Sequence, residues 1–246
     1  MHAPNKRHGA DGAVHFLEVN VSPGLTETSL LPMAVEAAGK MRFADLGNMT
    51  VAEIDRLMAL LEDYRKQGYF HATWRNIHEA NALLNARAVS VQSMWAPSYA
   101  TLGGIEDEFA EAVPREGYRA WHGGASLSRH LAGAQLDLAY DYLNWWLSGW
   151  AGAVMARQGY YMSVPERVRA VLTPAEWDYW YEGLPAVRDL PGPDGSIVAR
   201  AGARRRGGAW HERASRVAVW NTVIDEYNYA ARAWRKFVRS IDGDPA

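Results

Sequence analysis

The chain has 246 residues, 48% of them hydrophobic and 22% charged, so it can bury a core in one large or two small domains. Its formal net charge of −2 excludes a global basic field that would hold nucleic acid or an anionic membrane. The absence of cysteine excludes disulfides, thiolate metal sites and cysteine nucleophiles.

The first predicted elements are a strand over Val14–Val21 and a short helix over Thr28–Ala38 that Gly39 closes. A stronger helix starts at Thr50, which has capping-box spacing with Glu53. Its apolar residues form one stripe, which Gly68 ends: Ile54, Leu57, Met58, Leu61 and Tyr64.

The middle of the chain alternates short strands and helices. We predict a helix over Trp74–Ala86, a strand over Ala88–Gln92 and a strand over Tyr118–Trp121. A helix rich in Leu, Tyr and Trp covers Gln135–Ser148, and the glycines that break it are Gly149 and Gly152.

Two helix starts are predicted at Ser163 and Thr173, each followed three residues later by glutamate. Asp189–Gly208 is a long loop or hairpin with one small strand, and its run Arg204-Arg205-Arg206 is expected to be solvated. The last helix is predicted from eight apolar residues spaced three and four apart: Val217, Trp220, Ile224, Tyr227, Ala231, Trp234, Val238 and Ile241. The pattern as a whole predicts an α/β fold in which helices outnumber strands.

The aromatic composition is unusual, with 11 Trp and 12 Tyr against 5 Phe. Trp and Tyr combine a large apolar face with a polar tip, so they serve in cores and also in sites that enclose amphipathic or cationic ligands.

The segment before residue 46 carries one resemblance. Leu17–Pro32 has the pattern E-x-N-x-x-P-G-x-T-x-x-S-L and resembles the end of the ATP-grasp domain of D-alanine–D-alanine ligases. In that family the residues matching Glu18 and Asn20 ligate Mg²⁺, the glycine matching Gly24 lies near the acyl phosphate, and the pair matching Ser29-Leu30 contacts the second D-alanine. No glycine-rich phosphate loop accompanies the pattern, so we expect a retained strand, turn and helix with no metal or cofactor.

The rest of the chain resembles the carboxy-terminal half of spermidine/putrescine-type extracytoplasmic solute-binding proteins. The matching motifs occur in the family's order: Leu46–Thr50, Val91–Trp95, Gly117–Gly124, Tyr142–Trp150, Gln158–Tyr161, Trp177–Gly183 and Val219–Thr222. The two resemblances predict domains over residues 1–46 and 47–246. They imply an incomplete, bilobed periplasmic-binding-protein-like fold, whose two lobes close over a solute about a hinge.

The second resemblance implies three ligand-binding residues: Trp95, Trp121 and Tyr160. Polyamine receptors stack rings on the methylene chain of the ligand and place carboxylates at its ammonium groups. Where those receptors carry an acid two residues after the second Trp, this chain has Gly123. Glu212 and Asp225 are two acids available to supply the charge.

The function expected from the resemblance is solute binding for an ABC importer. The chain would bind a small organic cation or related solute and present it to a membrane permease, without catalysis, cofactor or nucleic acid. The resemblance implies a periplasmic location, although the polar first residues show no signal sequence. Two alternatives stay open: an enzyme of the ATP-grasp ligase class, and a non-functional truncated fusion.

Overall fold

A computed structural model describes residues 18–20, 35–36, 38–95, 112–115, 117–205, 207–220 and 224–243. These residues form a mixed, helix-rich structure with few strands, which confirms the α/β class at a coarse level. They divide into two compact units, and the chain passes between the units more than once. Unit 1 contains the described residues up to Trp95, Arg115–Ala120 and those from Ala218 onward, whereas unit 2 contains 112–114 and Trp121–Val217. Among the described residues, no helix has both the length and the apolar character that crossing a bilayer requires.

The principal helix of unit 1 is α1, Val51–Lys66, and it starts as predicted. The Thr50 hydroxyl accepts from the Glu53 amide, and the Glu53 carboxylate accepts from the Thr50 amide, which confirms the capping box. The apolar face of α1 contributes to a core built with residues from both sides of position 46: Val35, Met41, Phe43, Met49, Ile54, Leu57, Leu61, Ile224, Ala230, Trp234, Phe237 and Val238.

The last helix, α8, spans Tyr227–Asp242 and packs against α1. It is shorter than predicted, because Val217–Trp220 forms a strand instead of its first turn. That strand pairs with Tyr118–Ala120. The apolar spacing of three and four did not distinguish a helix from a strand here, since Val217-Ala218-Val219-Trp220 also has the β-branched and aromatic content that suits a strand.

Short strands join the remaining parts of unit 1. Strand β1, Glu18–Asn20, pairs in parallel with β2, Ala72–Trp74. The helix predicted from Trp74 therefore starts later, as α2, Ile77–Asn85. Asn76 sets this start, because its side-chain oxygen accepts from the amides of the second and third helical residues at 3.0 Å. Of the helix predicted over Thr28–Ala38, only its last part is described: residues 35 and 36 are helical.

Strand β3, Tyr118–Ala120, leads into unit 2. There, α3 spans Ala134–Trp146 and α4 spans Gly149–Ala156. The prediction that glycines break this region was wrong in its detail. The break lies at Leu147 and Ser148, and Gly149 and Gly152 are both helical.

Gly152 is a packing residue, because an added Cβ would lie 2.4 Å from a methyl carbon of Val168. The glycine lets α4 approach α5, Pro165–Arg169, closely. The start of α5 was also predicted wrongly, since Val164 and not Ser163 occupies the cap position. Proline at the first helical position sets this start.

Helix α6 and one hairpin of unit 2 agree with the sequence pattern. Helix α6, Pro174–Trp180, has the predicted capping box between Thr173 and Glu176. The predicted hairpin is present as β4, Leu190–Pro191, paired antiparallel with β5, Ile197–Ala199. Helix α7, Trp210–Ser215, precedes the strand β6 already described, Val217–Trp220. The buried core of this unit contains Ala153, Ala156, Val168, Leu172, Tyr179, Trp180, Tyr181, Ala186, Leu190 and Ala199.

Candidate functional site

Trp121 and Tyr160 come from separate motifs and meet in unit 2. Their ring centroids lie 6.3 Å apart with an interplanar angle of 80°, which is an edge-to-face contact. Trp121 directly follows β3 and is 47% exposed, whereas Tyr160 is half-buried. Two adjacent rings that remain open to solvent can hold the apolar stem or the charged head of a small cation.

The end of α4 aims Tyr160 at this position. The Gly159 amide donates to the Ala156 carbonyl at 2.9 Å, and the Tyr160 amide donates to the Met155 carbonyl at 3.2 Å. Gly159 has φ +89°, the left-handed conformation that glycine adopts at low cost. Together these features form a Schellman-type helix end, so Tyr160 leaves the helix in a defined direction.

The side chain of Arg205 stabilises this turn. Its Nη2 donates to the Gly159 carbonyl at 2.9 Å, and its Nη1 donates to the Trp180 carbonyl at 3.4 Å. The guanidinium carbon also lies 4.8 Å from the Tyr161 ring centroid and 5.0 Å from that of Trp180. The prediction of a solvated Arg204–Arg206 run was therefore wrong for Arg205, which is half-buried, because two carbonyls and two ring faces compensate the water that it loses.

A second tyrosine ring, that of Tyr181, packs on Tyr161 beside Arg205. Tyr161 and Tyr181 meet edge to face with centroids 5.4 Å apart. Burial raises the pKa of Tyr181 to about 12. Its phenol therefore stays protonated at neutral pH beside the guanidinium of Arg205.

The structure provides no acid in contact with the Trp121–Tyr160 pair among its described interactions. Gly123 is exposed, and a Cβ built on it would meet no atom within 4 Å. The two acids suggested by the sequence are used elsewhere: Glu212 accepts from the Ala209 amide at the start of α7, and Asp225, in unit 1, accepts from the Asn48 side-chain amide at 2.8 Å.

The third predicted contact, Trp95, belongs to unit 1. It is half-buried and packs edge to face on the buried Trp74, with ring centroids 4.9 Å apart. The strand predicted over Ala88–Gln92 is not formed, so Trp95 does not follow a strand. The Gln92 side chain instead donates to the Ala80 carbonyl at 2.9 Å, and this bond ties the irregular segment to α2.

The ligase-like residues Glu18 and Asn20 lie at alternate positions of the β1 backbone. The rest of that motif, including Gly24 and Ser29-Leu30, lies outside the described residues. Within the described part of the chain, no group of three or more His, Asp or Glu side chains is placed to hold a metal ion.

A second aromatic site in unit 2 was not anticipated as such from the sequence. Trp177 and Tyr181 stack with centroids 4.2 Å apart and an angle of 3°. The Trp177 indole also donates to Glu182 at 2.8 Å, and Arg169 lies 5.0 Å from its ring centroid. The available signal was the i, i+4 spacing of Trp177 on α6 and Tyr181, which caps its end. These residues line a cavity of about 190 Å³ together with Glu166 and Trp210.

Comparison with known proteins assigns no family to the chain. No protein-family model matches it, and no solved structure matches it at a significant level. The two resemblances therefore rest on the motifs quoted above.

Proposed function

We propose that the chain is the solute-binding component of a polyamine-type ABC importer and holds a small organic cation or related solute by aromatic enclosure. The observation that carries the proposal is the contact between Trp121 and Tyr160. The resemblance implies a ligand contact for each of these two residues from a separate motif. Their rings lie 6.3 Å apart, and Trp121 is about half exposed. A bilobed receptor fold and delivery to a permease in the periplasm belong to the same proposal.

The chemistry of the pair favours a cation with an apolar stem. An ammonium group over an aromatic face gains about 0.5–2 kcal/mol, depending on how far it is desolvated, and methylene groups gain by leaving water. The glycine at position 123 leaves one ammonium group without a carboxylate partner. The proposal therefore favours a solute that carries fewer charges than spermidine, or charges that are more delocalised.

Preorganisation also supports binding. Gly159 ends α4 with a defined turn, and Arg205 holds the carbonyl of that turn. Tyr160 is thus presented before a ligand arrives, which lowers the entropy cost of binding. The proposal requires no covalent step and no cofactor.

The organisation of the chain offers coarser support. Unit 1 and unit 2 are each compact, and discontinuous segments build unit 1. Solute receptors of the periplasmic type close two domains over the ligand about a hinge.

The test is calorimetric titration of the purified chain with putrescine, spermidine and choline. We expect saturable binding of at least one amine, and Trp121→Ala and Tyr160→Ala should each weaken it by roughly 3- to 30-fold, as the loss of a cation–π contact implies. Tyr140→Ala is the matched control, because it removes another exposed aromatic ring of the same unit, 53% exposed, outside the proposed site.

Three results would count against the proposal. A well-folded chain that binds none of the amines would leave the truncated-fusion alternative. Loss of binding in Trp177→Ala but not in Trp121→Ala would move the solute to the second aromatic cavity. Release of phosphate from ATP on addition of D-alanine and Mg²⁺ would favour the ligase alternative.

A further inference from the structure

Helix α3 is apolar around most of its circumference, yet none of its residues is buried. A helix with this composition is normally covered on more than one side. Its exposed residues include Leu138 at 70%, Tyr142 at 58%, Trp145 at 46% and Trp146 at 37%. Trp150, the second residue of α4, is 59% exposed. We call these five residues the aromatic face.

The aromatic face is an ordered cluster centred on Trp145. The Trp145 ring lies 5.9 Å from that of Tyr142, 5.8 Å from that of Trp146 and 6.0 Å from that of Trp150, measured between centroids. A groove of about 600 Å³ lies beside it and is lined by Leu131, Gln135, Leu138, Ala139 and Tyr142. The same helix therefore carries a ridge of rings towards its end and an apolar groove towards its start.

We propose that the aromatic face is a homodimer interface, in which the ridge of each copy fills the groove of the other. A two-fold axis pairs one surface patch with itself, and antiparallel copies of α3 meet this condition. With the axis at Tyr142, Trp145 faces Ala139 of the second copy and Trp146 faces Leu138. Each large ring then lies opposite a smaller side chain of the groove.

Charge is compatible with this pairing. The charged residues of α3 are Asp137 and Asp141. In the same register they face Leu147 and Leu143 of the second copy, so no two carboxylates lie directly opposite each other. An anionic membrane is a poorer occupant of the face, because the two acids would be repelled by its surface.

The area is sufficient for a reversible dimer. A fully exposed aromatic side chain presents roughly 200 Å², so the exposed fractions of the aromatic face amount to on the order of 500 Å² per copy. Two copies then bury about 1,000 Å², which reaches the lower limit of specific interfaces. A single patch of this size also lies at the upper end for monomers, where such patches are often functional.

The test is the mass of the full chain in solution, measured by light scattering and sedimentation over a range of micromolar concentrations. We expect a reversible shift from 27.4 kDa towards twice that mass. Because position 142 faces itself across the axis, Tyr142→Asp and Tyr142→Lys should each remain monomeric. An equimolar mixture of the two variants should recover the dimer, since opposite charges then meet.

Val187→Asp is the control, because it places the same acid on an apolar residue of unit 2 that is 76% exposed and outside the aromatic face. A chain that stays monomeric throughout would overturn the proposal. So would a dimer that neither Tyr142 variant affects, growth beyond two copies, or binding of the monomer to phosphatidylglycerol vesicles through this face. Amine binding is measured in the Tyr142 variants as well. If they bind the amine, failure of the dimer proposal leaves the proposed function intact, because the dimer does not depend on that function.

Discussion

Removal of the Arg205 guanidinium should destabilise unit 2 and disturb the turn that presents Tyr160. In Arg205→Met the carbonyl of the buried Gly159 loses a donor at 2.9 Å. Leaving a buried polar group without its hydrogen bond costs about 1–3 kcal/mol. The contacts with the rings of Tyr161 and Trp180 add about 0.5–1 kcal/mol each. Since all these contacts share one side chain and are not additive, we expect a total loss of about 2–3 kcal/mol.

Urea unfolding, followed by tryptophan fluorescence and far-ultraviolet circular dichroism, measures this loss. Against a typical stability of about 5–15 kcal/mol, the variant remains folded enough for a solute titration. We expect it to bind the solute more weakly than the wild type, because the carbonyl of the Gly159 turn is no longer held. This second measurement connects the packing layer to the proposed site.

Arg204 offers a matched control in the next position. It is exposed, and in the described part of the chain it makes no hydrogen bond or ion pair. Arg204→Met should change the free energy of unfolding by less than about 0.5 kcal/mol. Equal effects of the two substitutions, or an Arg205→Met variant as stable as the wild type, would refute the structural role of Arg205.

Three further substitutions test other parts of the structure. Gly123→Asp has open space around its Cβ and supplies an acid near Trp121, so calorimetry should show amine affinity rising by up to about fivefold. Burial raises the pKa of Glu176, but hydrogen bonds from Arg157 at 2.7 Å and from Thr173 outweigh it, so the pKa lies below its ordinary 4.5. Glu176→Gln should therefore lower the free energy of unfolding by about 2–3 kcal/mol at neutral pH, as measured with urea. This difference in stability from the wild type should shrink as the pH falls below 4.5 and the carboxylate of the wild type becomes protonated. In Gly149→Ala the new Cβ would lie 2.0 Å from a backbone oxygen of α5, and thermal unfolding should show a loss of about 1–3 kcal/mol despite the higher helix propensity of alanine.

Each of these variants has a control. Gly124→Asp adds the same charge one residue further on, and an equal gain in affinity there would mean that position 123 is not special. Glu182→Gln alters an exposed carboxylate, and the Trp177 indole can still donate to the new amide oxygen, so the free energy of unfolding at neutral pH should change by less than about 0.5 kcal/mol. Gly124→Ala meets no atom within 4 Å, so a loss as large as that of Gly149→Ala would contradict the close approach of α4 and α5.

The sequence predicted correctly those features whose interacting residues lie within one helical turn of each other. Thr50 with Glu53, and Thr173 with Glu176, started the helices that they predicted, because both partners of each capping box lie three residues apart. The buried face of α1 followed from its period for the same reason. The pairing of Trp121 with Tyr160 depended on the resemblance, since no local pattern relates two residues so far apart in the chain.

Tertiary structure decided what depends on a distant partner. Val217–Trp220 forms a strand because β3 pairs with it. Gly152 is a packing residue because α5 lies against α4 at that position. Arg205 is half-buried because folding placed two carbonyls and two rings around it. Helix α3 shows the converse. Its apolar pattern predicts that the helix is buried, but the arrangement of the other elements determines whether the same chain buries it.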